Sequence, residues 1–186
     1  MQKALSDHEV LKIAGPDITR VFIYPDIVKN INNINDLIND RYPQAIILYQ
    51  FQDDPIKDSI GGHWVAVKRF PPKMGKKARF DYFDSYGKMI DQPLDVMDKN
   101  YRIKTDQIKK KLSELLYKSG YDDINYNDHQ LQEHKRGINT CGRWSSYYLA
   151  LGLNLDQFYD LMKSAKKKLG YKSYDKMIVD LTKDLL

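Results

Sequence analysis

Cys141 is the chain's single cysteine, set in Asn139-Thr140-Cys141-Gly142-Arg143-Trp144, downstream of His63-Trp64 and Asp84-Ser85. A thiol, an imidazole and a carboxylate are the parts of a nucleophile, its base and the group that orients the base. The nucleophilic form is the thiolate, which a helix N-terminus and a nearby imidazole both favour. The pattern from Cys141 to Leu151, closed by Gly152, predicts a buried helix, so the thiol stands at a loop-to-helix junction.

Strands are expected over His63 to Phe70 and Ala78 to Ser85, joined through Pro71-Pro72-Lys73-Met74-Gly75-Lys76. A hairpin that sets Phe70 opposite Lys77 sets His63 directly opposite Asp84, at a Cβ separation of roughly 4.5–5.5 Å. Asp84 would then fix the imidazole's tautomer and favour its protonated form. A slip of one residue would put the pair on opposite faces, and turn composition does not fix the register. Each residue also has a plain reading: a histidine at a strand end, an aspartate before the Ser85-Tyr86-Gly87 turn, and a cysteine as a small buried hydrophobe. Gly61-Gly62 and Gly142 would let backbone lie close to an extended substrate. Trp64, on the other strand face from His63, would wall the site or fill the core.

Around these residues the order of elements is mixed α+β with the strands clustered centrally. Ser6 and Glu9 form a capping box for a short first helix, ended by Gly15-Pro16. Ile18 to Tyr24 reads as a strand or extended arm stopped by Pro25, and Asn30 to Asp40 contains a short helix. Ala45 to Phe51 precedes the hairpin as a further strand. Thr105 caps an amphipathic helix over 106 to 119 that Gly120 closes. A strand lies within Ile124 to Gln132, and helices over Asp156 to Leu169 and Ser173 to Leu185 complete the chain.

The 186 residues suffice for one domain spanning 1 to 186, with 42% hydrophobic and 12% aromatic residues to build its core. The mean hydropathy of −0.62 reflects charge rather than disorder. One cysteine makes no internal disulfide, so a reducing interior is expected, and no secretory or membrane-spanning segment is read. A net charge of +5 permits a polyanion partner without requiring one, and the basic runs Lys73 to Arg79, Lys109 to Lys111, Lys135-Arg136 and Lys166 to Lys168 read first as solvated faces. His129, His134 and Cys141 lack the spacing of a metal set.

Gly61-Gly62-His63-Trp64, Phe83-Asp84-Ser85-Tyr86-Gly87 and Thr140-Cys141-Gly142, in that order, resemble the adenain and Ulp1 superfamily of cysteine proteases. Within it, the compact chain and Cys141-Gly142-Arg143-Trp144 look most like the maturation proteases of adenovirus, virophages and Polinton-type elements. The resemblance implies a papain-like fold in permuted chain order, with a central mixed sheet, a buried nucleophile helix and flanking helices. It implies a glutamine upstream of the cysteine as oxyanion donor: Gln132 is chosen and Gln130 kept in reserve, both spaced farther from Cys141 than the family pattern. If both lie in a strand they share a face, and alternation does not choose between them.

The activity so implied is a cysteine endopeptidase with His63, Asp84, Cys141 and Gln132 at its centre, needing no metal or organic cofactor. Its partners would be virion precursor proteins, and its setting the virion and infected cell, or else the cytoplasm or nucleus. It would be a monomer without membrane attachment. DNA stimulation stays open, whereas a disulfide-linked activating peptide conflicts with a lone cysteine that is itself the nucleophile. Removal of ubiquitin-like modifiers, acyl transfer by the same residues, and an inactive DNA- or protein-binding module are the alternatives.

Overall fold

The computed structural model describes residues 4–51, 61–72, 78–121 and 123–186. Most of the expected hairpin turn, Pro71 to Lys76, and most of the Lys73 to Arg79 basic run lie outside the described residues. The rest is mixed α+β: five strands in one mixed sheet and eight α-helices among the described residues.

The sheet comprises β1 (Thr19–Ile23), β2 (Gln44–Gln50), β3 (Gly62–Phe70), β4 (Arg79–Phe83) and β5 (Asp123–Tyr126), side by side in that order. β1 runs parallel to β2 and β4 to β5, while β2, β3 and β4 pair antiparallel. Alternation sends successive side chains to opposite faces, and each face has its own core. Ile46, Leu48, Trp64, Ala66 and Phe83 meet α1 (Asp7–Ala14), α6 (Cys141–Leu151), α7 (Leu155–Lys168) and α8 (Tyr174–Thr182) on one side. Ala45, Ile47, Tyr49, Val65, Val67, Phe80 and Tyr82 meet α2 (Tyr24–Asn30), α3 (Ile34–Leu37) and α5 (Lys111–Ser119) on the other. Helices thus cover both faces, which is why the central strands read as near-continuous apolar runs.

Several local expectations hold in detail. Ser6 and Glu9 make the reciprocal capping-box bonds at α1, and Gly120 and Gly152 close α5 and α6 with φ of 71° and 69°. Others differ. β1 ends at Ile23, ahead of Pro25 as expected, but Pro25 also lies in the first turn of a helix, α2, where its missing N–H has no intrahelical partner to lose. Thr105 ends a short helix, α4 (Lys99–Lys104), instead of starting a long one. The break follows from Asp106, at φ 57°, and from Gln107, whose side chain accepts the Gln50 N–H at 3.0 Å and donates to the Gln50 carbonyl at 2.7 Å. Gln107 in effect serves the end of β2 as a strand partner would, so the chain leaves the helix there and α5 starts later. Gln130 and Gln132 lie beyond β5, in no strand.

The hairpin register also differs. Phe70 pairs with Arg79 and Ala66 with Phe83, so the loop is longer than expected and the strands are offset by two residues. Continued outward, this ladder sets Asp84 opposite Val65 and diagonal to His63. An even offset preserves the face, so imidazole and carboxylate still converge. No helix among the described residues is long and apolar enough to cross a membrane.

Candidate active site

His63 is the second residue of β3 and Asp84 the first after β4, so antiparallel pairing brings both to one end of the sheet. His63 Nε2 lies 3.0 Å from Asp84 Oδ1. That oxygen also accepts the Tyr86 N–H at 2.8 Å, while Oδ2 is buried with no hydrogen-bond partner among the described residues. A buried carboxylate so sparsely served depends on its histidine for compensation.

Cys141, the first residue of α6, is 7% exposed. Its side chain hydrogen-bonds His63, whose Nδ1 is the ring nitrogen left over by Asp84. Burial by itself would pull the histidine's pKa down. The charge and hydrogen bond of Asp84, and those of Cys141, outweigh it and raise the pKa from 6.5 to about 10. The ring therefore carries both protons at neutral pH, one toward each partner.

The backbone of Asp84 is held from outside the hairpin. Asn127, just past β5, accepts the Asp84 N–H and donates to the Asp84 carbonyl, both at 2.7 Å. The turn that follows brings Gly87 N–H to the Asp84 carbonyl at 2.9 Å. Gly87 has φ 71° and faces the backbone of Asp128 and His129 closely enough that a Cβ would lie 3.1 Å away, so both conformation and space require glycine.

Gln132 and Gln130, indistinguishable by alternation, part company in space. Gln132 is 1% exposed. Its Oε1 accepts from the Ser85 hydroxyl at 2.7 Å and its Nε2 donates to the Ile138 carbonyl at 3.3 Å, a pattern that fixes which end of the amide is which. The Ser85 carbonyl also takes the N–H groups of Leu131 and Gln132 at 2.8 and 2.9 Å. Gln130 is exposed and donates to the Gln132 carbonyl at 2.8 Å.

Tyr86 joins these groups. Its ring stacks on His63 with centroids 4.9 Å apart, and its hydroxyl bonds the side chain of Gln132. Burial, then the charges of Cys141, Asp84 and Asp175, push its pKa up to about 12, so the phenol keeps its proton. On its outer face Tyr86 stacks with His134 at 3.9 Å. His129 stacks elsewhere, on Tyr159 at 3.6 Å, and among the described residues no cluster of three or more metal-ligating side chains forms.

The glycines beside the nucleophile and base serve packing rather than an open cleft. A Cβ on Gly142 would come within 3.0 Å of both Trp64 and Val10, because α6 lies tightly between β3 and α1. A Cβ on Gly62 would lie 2.5 Å from the Tyr49 carbonyl and from Leu48. Trp64 is a core residue: it is 6% exposed and its Nε1 donates to the Leu5 carbonyl at 3.1 Å.

The sequence brought forward His63, Asp84, Cys141 and both glutamines, and the fold gathers all but Gln130 around Tyr86. It gave no role to Tyr86, although that residue adjoins the Asp-Ser pair and could have been weighed with it. Asn127 and Asp175 carried no local signal, being single polar residues in other elements.

No protein-family model matches the chain. An uncharacterized protein, V9, of the Sputnik virophage is 28% identical over 149 residues, which are 80% of this chain and 76% of that protein. A selenomethionine crystal structure of an ASFV protease aligns with a TM-score of 0.39 and 13% identity, over 80% of this chain and 58% of that one. The chain thus spans less than two thirds of that protease, and a likeness so distant carries no conclusion about fold or activity. The chain is similar in sequence to a virophage protein, and what its site can do is a matter of its own side chains.

Proposed function

We propose that the chain is a cysteine endopeptidase with a papain-like site in permuted order, acting on viral precursor proteins. The observation that carries it is the run of contacts from Asp84 through His63 to Cys141, with Asp84 and Cys141 both favouring the protonated imidazole between them. Such a histidine gives Cys141 a cationic partner, which is what thiol nucleophiles use.

In this reading the sulfur of Cys141 attacks the scissile carbonyl carbon, and the carbonyl electrons move onto oxygen. Gln132 Nε2, exchanging its long bond to Ile138, and the first-turn amides of α6 stabilise that oxyanion. Nδ1 of His63 then gives its proton to the departing amine as the C–N bond breaks, leaving a thioester. Water, losing a proton to His63, attacks the thioester and releases the acid and the sulfur. Asp84 keeps the ring oriented throughout. The chemistry requires no metal. The virophage relative supports a viral setting, in the virion and infected cell, and viral precursors as substrates.

The test is incubation of the full chain with candidate virion precursors and a broad peptide library, mapping new termini against Cys141→Ala. Cys141-dependent endoproteolysis is the expected outcome. Absence of such termini overturns the proposal, as does cleavage confined to ubiquitin-like conjugates or acyl transfer without hydrolysis.

A further inference from the structure

The stretch from Glu133 to Thr140 joins the proposed oxyanion donor to the proposed nucleophile and contains no helix or strand. Its bonds include two turns, Lys135 N–H to the Glu133 carbonyl at 2.9 Å and Ile138 N–H to the Lys135 carbonyl at 3.1 Å, and the Ile138 carbonyl takes Gln132 Nε2 at 3.3 Å. Turns of that kind do not by themselves fix the distance between the ends of a connection.

One carboxyl group joins both ends. Asp175, in the first turn of α8 and 1% exposed, accepts the Glu133 N–H on Oδ2 at 2.9 Å and the Thr140 hydroxyl on Oδ1. Both ends of the connection therefore meet on the two oxygens of a single buried side chain. Its own backbone is fixed by Ser173, the cap of α8, whose hydroxyl accepts the Asp175 N–H at 3.1 Å.

The same bond alters the start of α6. Thr140 holds the N-cap position, where a threonine oxygen ordinarily accepts an amide of the first turn. Here the hydroxyl points to Asp175, α6 has no side-chain cap, and its first turn has no acidic residue. Thr140 thus offers no side-chain acceptor to the amides beside Cys141, which an oxyanion site would use.

We infer that Asp175 is a positioning residue for the peptidase centre: through Thr140 and Glu133 it sets Cys141 against Gln132 and His63 and keeps the Thr140 oxygen off the α6 amides. This rests on the proposed function for its meaning, but the geometry it concerns has its own readout. A second tie from α8, Arg143 Nη1 to Thr182 Oγ1 at 2.6 Å, leaves α8 docked when the Asp175 contact is cut.

The experiment is a double-mutant cycle on the full chain with Thr140→Val, Asp175→Asn and both together, plus Thr140→Ser. For each, the iodoacetamide alkylation rate of Cys141, kcat and KM on a cleaved peptide, and the melting temperature are measured. Thr140→Val and Asp175→Asn are expected to slow alkylation and to lower kcat by about 10- to 100-fold, the scale of a small misplacement of reacting groups. KM should stay within about threefold, because substrate binding is not what is lost. The double variant should be no worse than the worse single, because the two residues act as one unit, and Thr140→Ser should restore alkylation and kcat. Wild-type alkylation and kcat in Thr140→Val overturn the inference whatever Asp175→Asn does, and so do losses that multiply in the double variant. Wild-type alkylation unaffected by His63→Ala would instead overturn the peptidase proposal, with the alkylation cycle still reporting on Asp175.

Discussion

Asn127 grips Asp84 by the main chain, not by the carboxylate: one amide side chain meets both the N–H and the carbonyl of the residue that orients His63. A third bond, from Asn127 Nδ2 to the His129 carbonyl at 3.1 Å, ties the grip to the segment leading to Gln132. Asn127→Ala would leave the buried Asp84 N–H unmet, at about 1–3 kcal/mol, while the Asp84 carbonyl keeps the Gly87 N–H. The expected outcome is a lower urea midpoint and a fall in peptide cleavage, though no proposed catalytic side chain is touched. A stability change within about 0.5 kcal/mol, the range of ordinary surface substitutions, would contradict it.

The histidine makes stability depend on pH in a stated direction. Its pKa is raised from 6.5 to about 10 in the folded chain, so the folded form binds more protons than the unfolded one between those values. The stabilisation is complete below about pH 6.5 and is lost as pH rises toward 10. Melting temperature measured across that interval should fall more steeply for the wild type than for His63→Ala. Parallel curves would show that Asp84 and Cys141 do not hold the proton.

Lys68 works in the opposite sense. It is 8% exposed, and burial lowers its pKa to about 8 against the opposing charge of Asp81. Charging it costs stability fully below about pH 8, and the cost disappears as pH rises to the unfolded value near 10.5. Lys68→Met, of similar length and uncharged, should melt higher than the wild type at pH 7, with the difference shrinking by pH 10. A lower melting temperature at pH 7 would mean that the contact with Asp81 outweighs desolvation.

The two glutamines give a paired comparison. Gln132→Ala should lower kcat by about 100- to 1000-fold, the scale seen when an oxyanion donor is removed. Gln130→Ala should leave kcat near wild type, its side chain being exposed and bonded to a backbone carbonyl. Equal losses would show that neither amide donates to the transition state.

Gly62→Ala would press a methyl group to within 2.5 Å of the Tyr49 carbonyl, which is backbone and has no rotamer to escape into. Overpacking of this kind costs about 1–3 kcal/mol. Thermal unfolding should register the loss directly. An unchanged melting temperature would mean that β2 and β3 separate there without cost.

The parts of the fold set by local chemistry were legible: the Ser6-Glu9 box, the glycines at 120 and 152, and the apolar strands. The convergence of His63 and Asp84 was legible too, because each stands in a recognisable short run, His63-Trp64 and Asp84-Ser85, on neighbouring strands. The hairpin offset was missed because the loop length was assumed, yet the face was right, since only an odd offset reverses it. What could not be seen were partnerships between distant single residues. Gln107 breaks a helix to serve β2, Asn127 holds Asp84 and Asp175 holds Thr140, and in each case the benefit exists only once the sheet has formed.

The dependence of the Cys141 loop on α8 has a consequence for the order of events during synthesis. A nascent chain that has exposed its sheet and α6, but not yet residue 175, already carries Cys141 and His63 while lacking the carboxyl group that gathers Glu133 and Thr140. Translation would therefore supply Asp175 only after Cys141 and His63, and the seat of the thiol stays unfinished until α8 has emerged.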